Sequence, residues 1–170
     1  EIRNRLEGKK LECPVLVMGG TPSFPCHAEY LDVFLSPGTA FLQDAGYYKG
    51  LPDMDFMPAA VVLSRVVSHP SEGRFTLDLG YKGIAADPAS QRGYIVGGDR
   101  YEPEFQNEEH WVFRVKEGQE ASLPEIGSVV YVIPTHICPT SALYPSVFVV
   151  EDGVIVENWE VKARNRKITV

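Results

Sequence analysis

The sequence has few cysteines, few basic residues and no long hydrophobic run. Its 170 residues include only Cys13, Cys26 and Cys138, too few for a disulfide framework, so a reducing cytoplasm is the simplest context. Lys and Arg number 16 against 23 Asp and Glu, and the formal net charge of −7 argues against a nucleic-acid-binding surface. No apolar run approaches the roughly 18 residues that cross a bilayer, and the charged start, EIRNRLEGKK, is unlike a signal peptide. We therefore expect a cytoplasmic protein that binds neither nucleic acid nor membranes.

Most of the chain has the pattern of short β-strands. With 44% hydrophobic residues, 15 glycines and 13 prolines, the composition is that of a globular protein with many turns. Asp152-Gly153, between two apolar runs, predicts a hairpin turn. The β-branched or aromatic runs, separated by Gly, Pro or Asp, are residues 14–18, 60–63, 74–78, 94–96, 110–115, 128–133 and 146–150.

The N-terminal residues have a different pattern. Residues 1–10 predict the end of a helix with Gly8 as its terminator, and residues 15–18 predict a buried strand that leads into a glycine loop. This order is that of an α/β unit, whereas everything after about residue 29 is predicted to be all-β. A single α/β unit cannot cover the faces of its own strand. We therefore expect residues 1–28 to be the terminal α/β unit of a larger barrel and residues 29–170 to be a β-rich domain.

The glycine loop is the first candidate site. Two glycines after a strand let backbone N–H groups approach an anion, and loops of this kind hold phosphate in (β/α)8 barrels. The candidate residues for phosphate binding are Gly19, Gly20 and Thr21. The alternative is a tight turn, because Gly-Gly is common wherever φ must be positive.

His136 and Cys138 are the second candidate. Prolines at positions 134 and 139 disfavour helix, so we expect an extended segment in which residues two apart point to the same side. A nitrogen and a sulfur ligand suit Zn²⁺, and two protein ligands would leave positions open for water or substrate. The alternative is a buried cysteine beside a hydrogen-bonded histidine.

A third candidate is the segment Glu108-Glu109-His110, which could supply a general base, a carboxylate behind a metal ligand, or a further metal ligand. The alternative is a solvated charged turn before the strand that contains Trp111. Asp44 lies in a cleft or caps a turn, and the sequence does not separate these two possibilities.

Taken together, these motifs resemble the C-terminal part of the D-threonine aldolase and D-serine dehydratase family, metal-activated pyridoxal-phosphate enzymes of the alanine-racemase-like fold type. The resemblance extends from about residue 12 to about residue 166. The matching segments, in order, are GGTPS at 19–23, PGT at 37–39 leading to Asp44-Ala45, VLSRVVS at 62–68, EEH at 108–110 and HICPT at 136–140.

The resemblance implies a mainly β fold: a C-terminal β-barrel or sandwich-like domain, preceded by the last α/β unit of a (β/α)8 barrel that carries the cofactor. It implies that Gly19, Gly20 and Thr21 help to bind the phosphate of pyridoxal 5′-phosphate, and that His136 and Cys138 bind Zn²⁺ or Mn²⁺. It also implies a lyase acting on D-β-hydroxy amino acids, by retro-aldol cleavage or by dehydration, in a homodimer. Glu109 and His110 are the candidate catalytic residues.

The sequence departs from the family in one respect. The family's Schiff-base lysine lies near the start of the barrel, and the lysines present here, such as Lys49 and Lys82, do not match that motif. We therefore expect a piece of a longer enzyme that is inactive without the barrel domain. The alternatives are a metal-free β-rich binding or assembly domain and a metal-independent racemase of the same fold type.

Overall fold

The computed structural model describes residues 1–120, 122–165 and 167, so residue 166, the end of the resemblance, and residues 168–170, the end of the predicted second domain, lie outside it. The helices are α1 (Ile2–Glu7), α2 (Ala45–Gly50) and α3 (Ile137–Ser141), with 3₁₀ turns at Phe24–His27, Thr39–Phe41 and Lys162–Asn165. The strands are β1 (Val17–Met18), β2 (Phe34–Leu35), β3 (Val62–Ser68), β4 (Arg74–Leu77), β5 (Gly93–Ile95), β6 (Tyr101–Gln106), β7 (Trp111–Val115), β8 (Val129–Pro134), β9 (Ser146–Glu151) and β10 (Val154–Glu160). The mainly β fold predicted from the sequence is confirmed.

The chain divides into two units, Glu1–Phe41 and a second that begins at Leu42. In the first unit, α1 ends at Glu7 and is followed by Gly8, the predicted terminator, as its C-cap, and β1 pairs with β2 in parallel. The predicted strand at 14–18 is shorter than expected, since only Val17–Met18 pairs. The predicted domain boundary after residue 28 stays a prediction.

The second unit contains a six-stranded, nearly closed, barrel-like sheet in the order β5-β8-β3-β4-β7-β6. All its strand pairs are antiparallel. Along β3, alternate residues are buried, because successive side chains of a strand point to opposite faces. The core centres on Phe75, Leu77, Phe113 and Val132, each at most 2% exposed. Burying such a side chain contributes about 1.5–3 kcal/mol.

Three elements of the second unit were not predicted. Strand β6 contains Pro103 and charged residues, and it lies at one end of the sheet order, where a missing N–H is tolerated. Helix α2 contains two glycines, and helix α3 contains Pro139. The expectation that everything after about residue 29 is all-β is therefore wrong for these two short helices.

The predicted hairpin turn is confirmed. Strands β9 and β10 pair antiparallel, and Asp152 and Gly153 between them have φ of 49° and 78°. Two successive positive φ values are typical of the type I′ turns that match strand twist. Among the described residues, no helix is both long enough and apolar enough to cross a membrane.

Candidate metal and cofactor site

His136 lies where strand β8 ends and helix α3 begins. It precedes the first residue of α3 and has an extended backbone, with φ of −134° and ψ of 103°. Its ring Nδ1 contacts a carboxylate oxygen of Asp87, and its carbonyl accepts a hydrogen bond from the Thr140 hydroxyl at 2.7 Å. The side chain of His136 is 41% exposed, so ring and backbone are both held while the imidazole stays accessible.

Cys138 is the second residue of α3, and it is exposed. The expectation of an extended segment is therefore wrong from Ile137 onward, and so is the argument that places imidazole and sulfur on one side of an extended chain. The physical reason is that Pro139 falls in the first turn of the helix. A proline is tolerated there because the first N–H groups of a helix have no intrahelical partner. The two candidate ligands instead share the start of one short helix.

Asp44 positions this helix start. It is 2% exposed, and its Oδ1 accepts a hydrogen bond from Tyr47 N at 2.9 Å, at the start of α2. Its Oδ2 accepts from Ile137 N at 3.0 Å, at the start of α3. One carboxylate thus caps two helices, and the cap was the second of the two alternatives that the sequence left open.

The residues beside Asp44 pack tightly. Gly46 N donates to Thr135 O at 3.1 Å, and a Cβ at Gly46 would lie 2.5 Å from that oxygen. Gln43 is 1% exposed with φ of 49°, and neither side-chain amide atom has a hydrogen-bond partner among the described residues. Backbone strain and buried polar groups of this kind concentrate at functional sites. Gln43 was not among the residues singled out from the sequence, because a lone glutamine carries no spacing pattern.

The chemistry of His136 and Cys138 fits a borderline-soft divalent cation. Imidazole nitrogen and thiolate sulfur are ligands that Zn²⁺ prefers. Within residues 1–120, 122–165 and 167, no group of three or more His, Cys, Asp or Glu side chains is arranged to hold a metal ion. The pair by itself offers two ligands, and its role in metal binding stays a prediction.

In the first unit, the two glycines of the glycine loop differ in their surroundings. Gly19 has φ of 74°, and a Cβ there would lie 2.7 Å from Phe24 Cα, so the turn requires glycine. A Cβ at Gly20 would have only Pro22 Cδ within 4 Å, at 3.9 Å, so packing does not require glycine there. Thr21 is buried, and its Oγ1 accepts from Ala40 N at 3.1 Å. Gly19 thus serves the turn, Gly20 has open space beside it, and phosphate binding by Gly19, Gly20 and Thr21 stays a prediction.

The third candidate, the segment from Glu108 to His110, forms an exposed turn between β6 and β7. Lys82 Nζ lies 2.7 Å from Glu108 and 2.9 Å from Glu109, and the Asn107 side chain accepts from His110 N at 2.8 Å. The Lys82 ammonium holds the pKa of the Glu108 carboxyl below its usual range, because a nearby cation favours the ionised form. This geometry is that of an ion-paired surface turn, and the catalytic role of Glu109 and His110 stays a prediction.

The nearly closed, barrel-like β-sheet is that of the C-terminal domain of proteins with the alanine-racemase-like fold. The family described as "Putative serine dehydratase domain" matches residues 59–150. The chain belongs to this family, and the predicted resemblance is confirmed.

Two of the proteins that the chain is similar to are D-threonine aldolases. The D-threonine aldolase of Arthrobacter sp. is 32% identical over 161 residues, 91% of this chain and 40% of the relative. The crystal structure of D-threonine aldolase from Filomicrobium marinum is 26% identical with a TM-score of 0.81, covering 95% of this chain and 44% of that one. The chain therefore spans less than half the length of these relatives.

A D-threo-3-hydroxyaspartate dehydratase shares the fold. A structure of its histidine-to-alanine mutant is 20% identical with a TM-score of 0.74, covering 92% of this chain and 45% of that one. A second structure is a cysteine-to-alanine mutant in the metal-free form, and the two replaced positions are two residues apart in that sequence.

Proposed function

We propose that the chain is the metal-binding C-terminal domain of a lyase that acts on D-β-hydroxy amino acids. The observation that carries the proposal is the pair His136 and Cys138 at the start of α3, with the imidazole in contact with Asp87. The membership of the serine dehydratase family and the 32% identity to a D-threonine aldolase support the class of reaction. In this proposal the substrate is a small D-amino acid with a hydroxyl on Cβ.

Two groups complete the proposed site. Pyridoxal phosphate supplies an electron sink for the bonds at Cα, and a divalent cation supplies Lewis acidity toward the hydroxyl group. Backbone N–H groups at Gly19 and Gly20, with Thr21, would bind the phosphate. The imidazole of His136 and the thiolate of Cys138 would bind the cation, Zn²⁺ before Mn²⁺ because sulfur is a soft ligand.

The first candidate reaction is retro-aldol cleavage of a D-threonine-like substrate to glycine and an aldehyde. It is favoured by the identity to the Arthrobacter aldolase, which extends over 91% of the chain. Glu109 and His110 are proposed to accept or deliver a proton, although Glu109 is held by Lys82 in the free domain. A proton-transfer role therefore requires that this ion pair opens.

The second candidate is dehydration of a D-serine-like substrate, and Cys138 favours it. One structure of D-threo-3-hydroxyaspartate dehydratase is of a mutant in the metal-free form in which a cysteine is replaced, and a separate structure has a histidine replaced two positions earlier. This chain has the same residue types at the same separation. The products distinguish the candidates, because dehydration releases ammonia and retro-aldol cleavage releases an aldehyde.

The proposed activity belongs to a longer polypeptide. The chain spans 40% of the Arthrobacter aldolase, and in the proposal an N-terminal barrel carries the Schiff-base lysine that Lys49 and Lys82 do not replace. A homodimer of that polypeptide is part of the proposal. We expect the 170-residue chain alone to bind the metal and to lack lyase activity.

Metal binding tests the proposal directly. We expect the chain to bind one Zn²⁺ in isothermal titration calorimetry, and His136→Ala or Cys138→Ser to weaken binding at least about 100-fold, because each removes a direct ligand. His69→Gln and Cys26→Ser are the matched controls, since both change the same residue types elsewhere. A chain that binds neither Zn²⁺ nor Mn²⁺ would identify a metal-free binding or assembly domain instead. Binding that survives both ligand variants would contradict the roles proposed for His136 and Cys138.

A further inference from the structure

The loop that contains Asp87 faces the start of helix α3. We propose that Asp87 is a positioning residue: its carboxylate accepts the Nδ1 hydrogen of His136 and thereby presents the other ring nitrogen, Nε2, to the cation. The inference rests on the proposed metal-binding role of His136. It assigns Asp87 no direct contact with the metal.

The loop is fixed to the histidine segment at both ends. Before Asp87, Ala85 N donates to Thr140 Oγ1 at 3.0 Å, and the same hydroxyl donates to His136 O at 2.7 Å. Thr140 is 2% exposed, so this junction is shielded from water. The buried hydroxyl of Thr140 thus links the backbone just before Asp87 to the backbone of His136.

The second attachment follows Asp87. Thr135 Oγ1 donates to Gln91 O at 2.6 Å, and Thr135 N donates to Arg92 O at 2.9 Å. Asp87 therefore lies between two anchored points, one on each side of it in the chain. Such a frame holds the carboxylate against the ring even though the Asp87 side chain is 52% exposed.

The contact between Asp87 and His136 determines which ring nitrogen of the imidazole carries the hydrogen. A neutral imidazole carries one hydrogen, so a ring that donates from Nδ1 has its lone pair on Nε2. Histidines that bind metals commonly donate their other N–H to a carboxylate, which fixes the tautomer and the orientation of the ring. The contact between Asp87 and His136 provides this arrangement before any cation binds.

The metal-free chain provides the first test. Long-range ¹H–¹⁵N correlation spectra above the titration range of the histidine report which ring nitrogen carries the hydrogen, and the His136 signals are assigned by their loss in His136→Ala. We expect the Nδ1–H tautomer in the parent chain and a shift toward Nε2–H in Asp87→Ala. A parent chain with the Nε2–H tautomer would overturn the inference, whether or not the chain binds a metal.

Zinc affinity provides the second test. We expect Asp87→Ala to weaken Zn²⁺ binding about 10- to 100-fold, the usual effect of removing a partner behind a metal ligand. Asp87→Asn keeps an acceptor oxygen, so it is expected to lose less, and Asp53→Asn is the control for the same change of charge at an exposed position. In the Co²⁺-substituted chain, the sulfur-to-cobalt absorption should persist in Asp87→Ala, because Asp87 is not a ligand.

The outcomes separate this inference from the proposed function. Unchanged affinity in Asp87→Ala would overturn the positioning role while leaving the metal site intact. Changes in the ligand-field spectrum that indicate a lost oxygen ligand would also overturn it, since they would make Asp87 a direct ligand. Failure of the parent chain to bind any metal would contradict the proposed function, and the tautomer measurement would still judge the contact.

Discussion

Asp44 shows how much a single buried side chain can organise. Helices α2 and α3 have only six and five residues, and helices this short are not stable by themselves in water. Both begin at the same carboxylate, which satisfies one otherwise unpaired backbone N–H of each, Tyr47 N and Ile137 N. The helix that carries Cys138 is therefore tied to a residue far away in the sequence.

We predict that Asp44→Ala destabilises the second unit by about 2–4 kcal/mol, because two capping bonds are lost and two N–H groups are left without their acceptor. Asp44→Asn retains one oxygen, so we expect roughly half that loss. Urea unfolding measures both, and the midpoint should fall while the slope is unchanged. If Asp44→Ala unfolded at the urea concentration of the parent chain, the capping role would be wrong.

The residues of the candidate site were predictable by type, but their partners were not. His136 and Cys138 stand out because their residue types and close spacing suggest ligands. Asp87 lies 49 residues before the histidine that it contacts, and no spacing rule joins positions so far apart. Tertiary packing creates such pairs, so only the structure could add Asp87 to the site.

At the scale of elements, the sequence predicted strands where β-branched and aromatic residues are concentrated. Strands β4 and β7 match their predicted runs closely, because their apolar residues fill the core. Strand β6 was missed because the β-propensity of its residues does not account for its pairing with β7. Helix α3 was missed because its start depends on Asp44, which a local reading of prolines does not consider.

The β9–β10 hairpin permits a test confined to one element. Its two strands pair only with each other in the sheets formed by the described residues, and such ribbons are marginally stable. Because Gly153 has φ of 78°, we predict that Gly153→Ala costs the hairpin about 1–2 kcal/mol. Amide hydrogen exchange across β9 and β10 should then become about 5- to 30-fold faster, while the amides of β4 and β7 keep their rates.

Gly118→Ala is the matched control for this prediction. Gly118 also has a positive φ, 74°, and a Cβ there would likewise meet open space. The strain introduced is therefore similar, but it falls in a different turn. Faster exchange throughout the barrel strands in Gly153→Ala, or in the hairpin in Gly118→Ala, would contradict the local nature of the effect.

At the scale of the whole molecule, the order of the motifs was more informative than any one of them. Gly-Gly-Thr and His-x-Cys are each common motifs. Their order along the chain nevertheless indicated a family, and the match over residues 59–150 confirms that family. The substrate could not be predicted in this way, because aldolase and dehydratase relatives share the fold. In the proposed mechanism, selection between the two reactions depends on the position of a proton-transfer group, which composition and spacing do not encode.

The stability of the folded chain at high pH depends on Tyr144. Burial raises the pKa of this phenol above its usual value of 10.0, and the nearby charge of Asp78 raises it further. The native state therefore keeps a proton that the unfolded state loses above about pH 10. It follows that the contribution of Tyr144 is complete below pH 10 and is lost as the pH rises through the higher native pKa.

We predict that Tyr144→Phe changes this pH dependence. At neutral pH the variant should be less stable by about 1 kcal/mol, because the hydroxyl no longer donates to Gly83 O, which lies at 2.7 Å. Above pH 10 the parent chain should lose stability more steeply than the variant, so the difference between their free energies of unfolding should narrow. Urea unfolding at intervals from pH 7 to pH 11 measures this difference. A gap that stays constant over the whole range would mean that the phenol loses its proton at the same pH in the folded and unfolded states, and the link between its burial and the alkaline stability of the domain would be refuted.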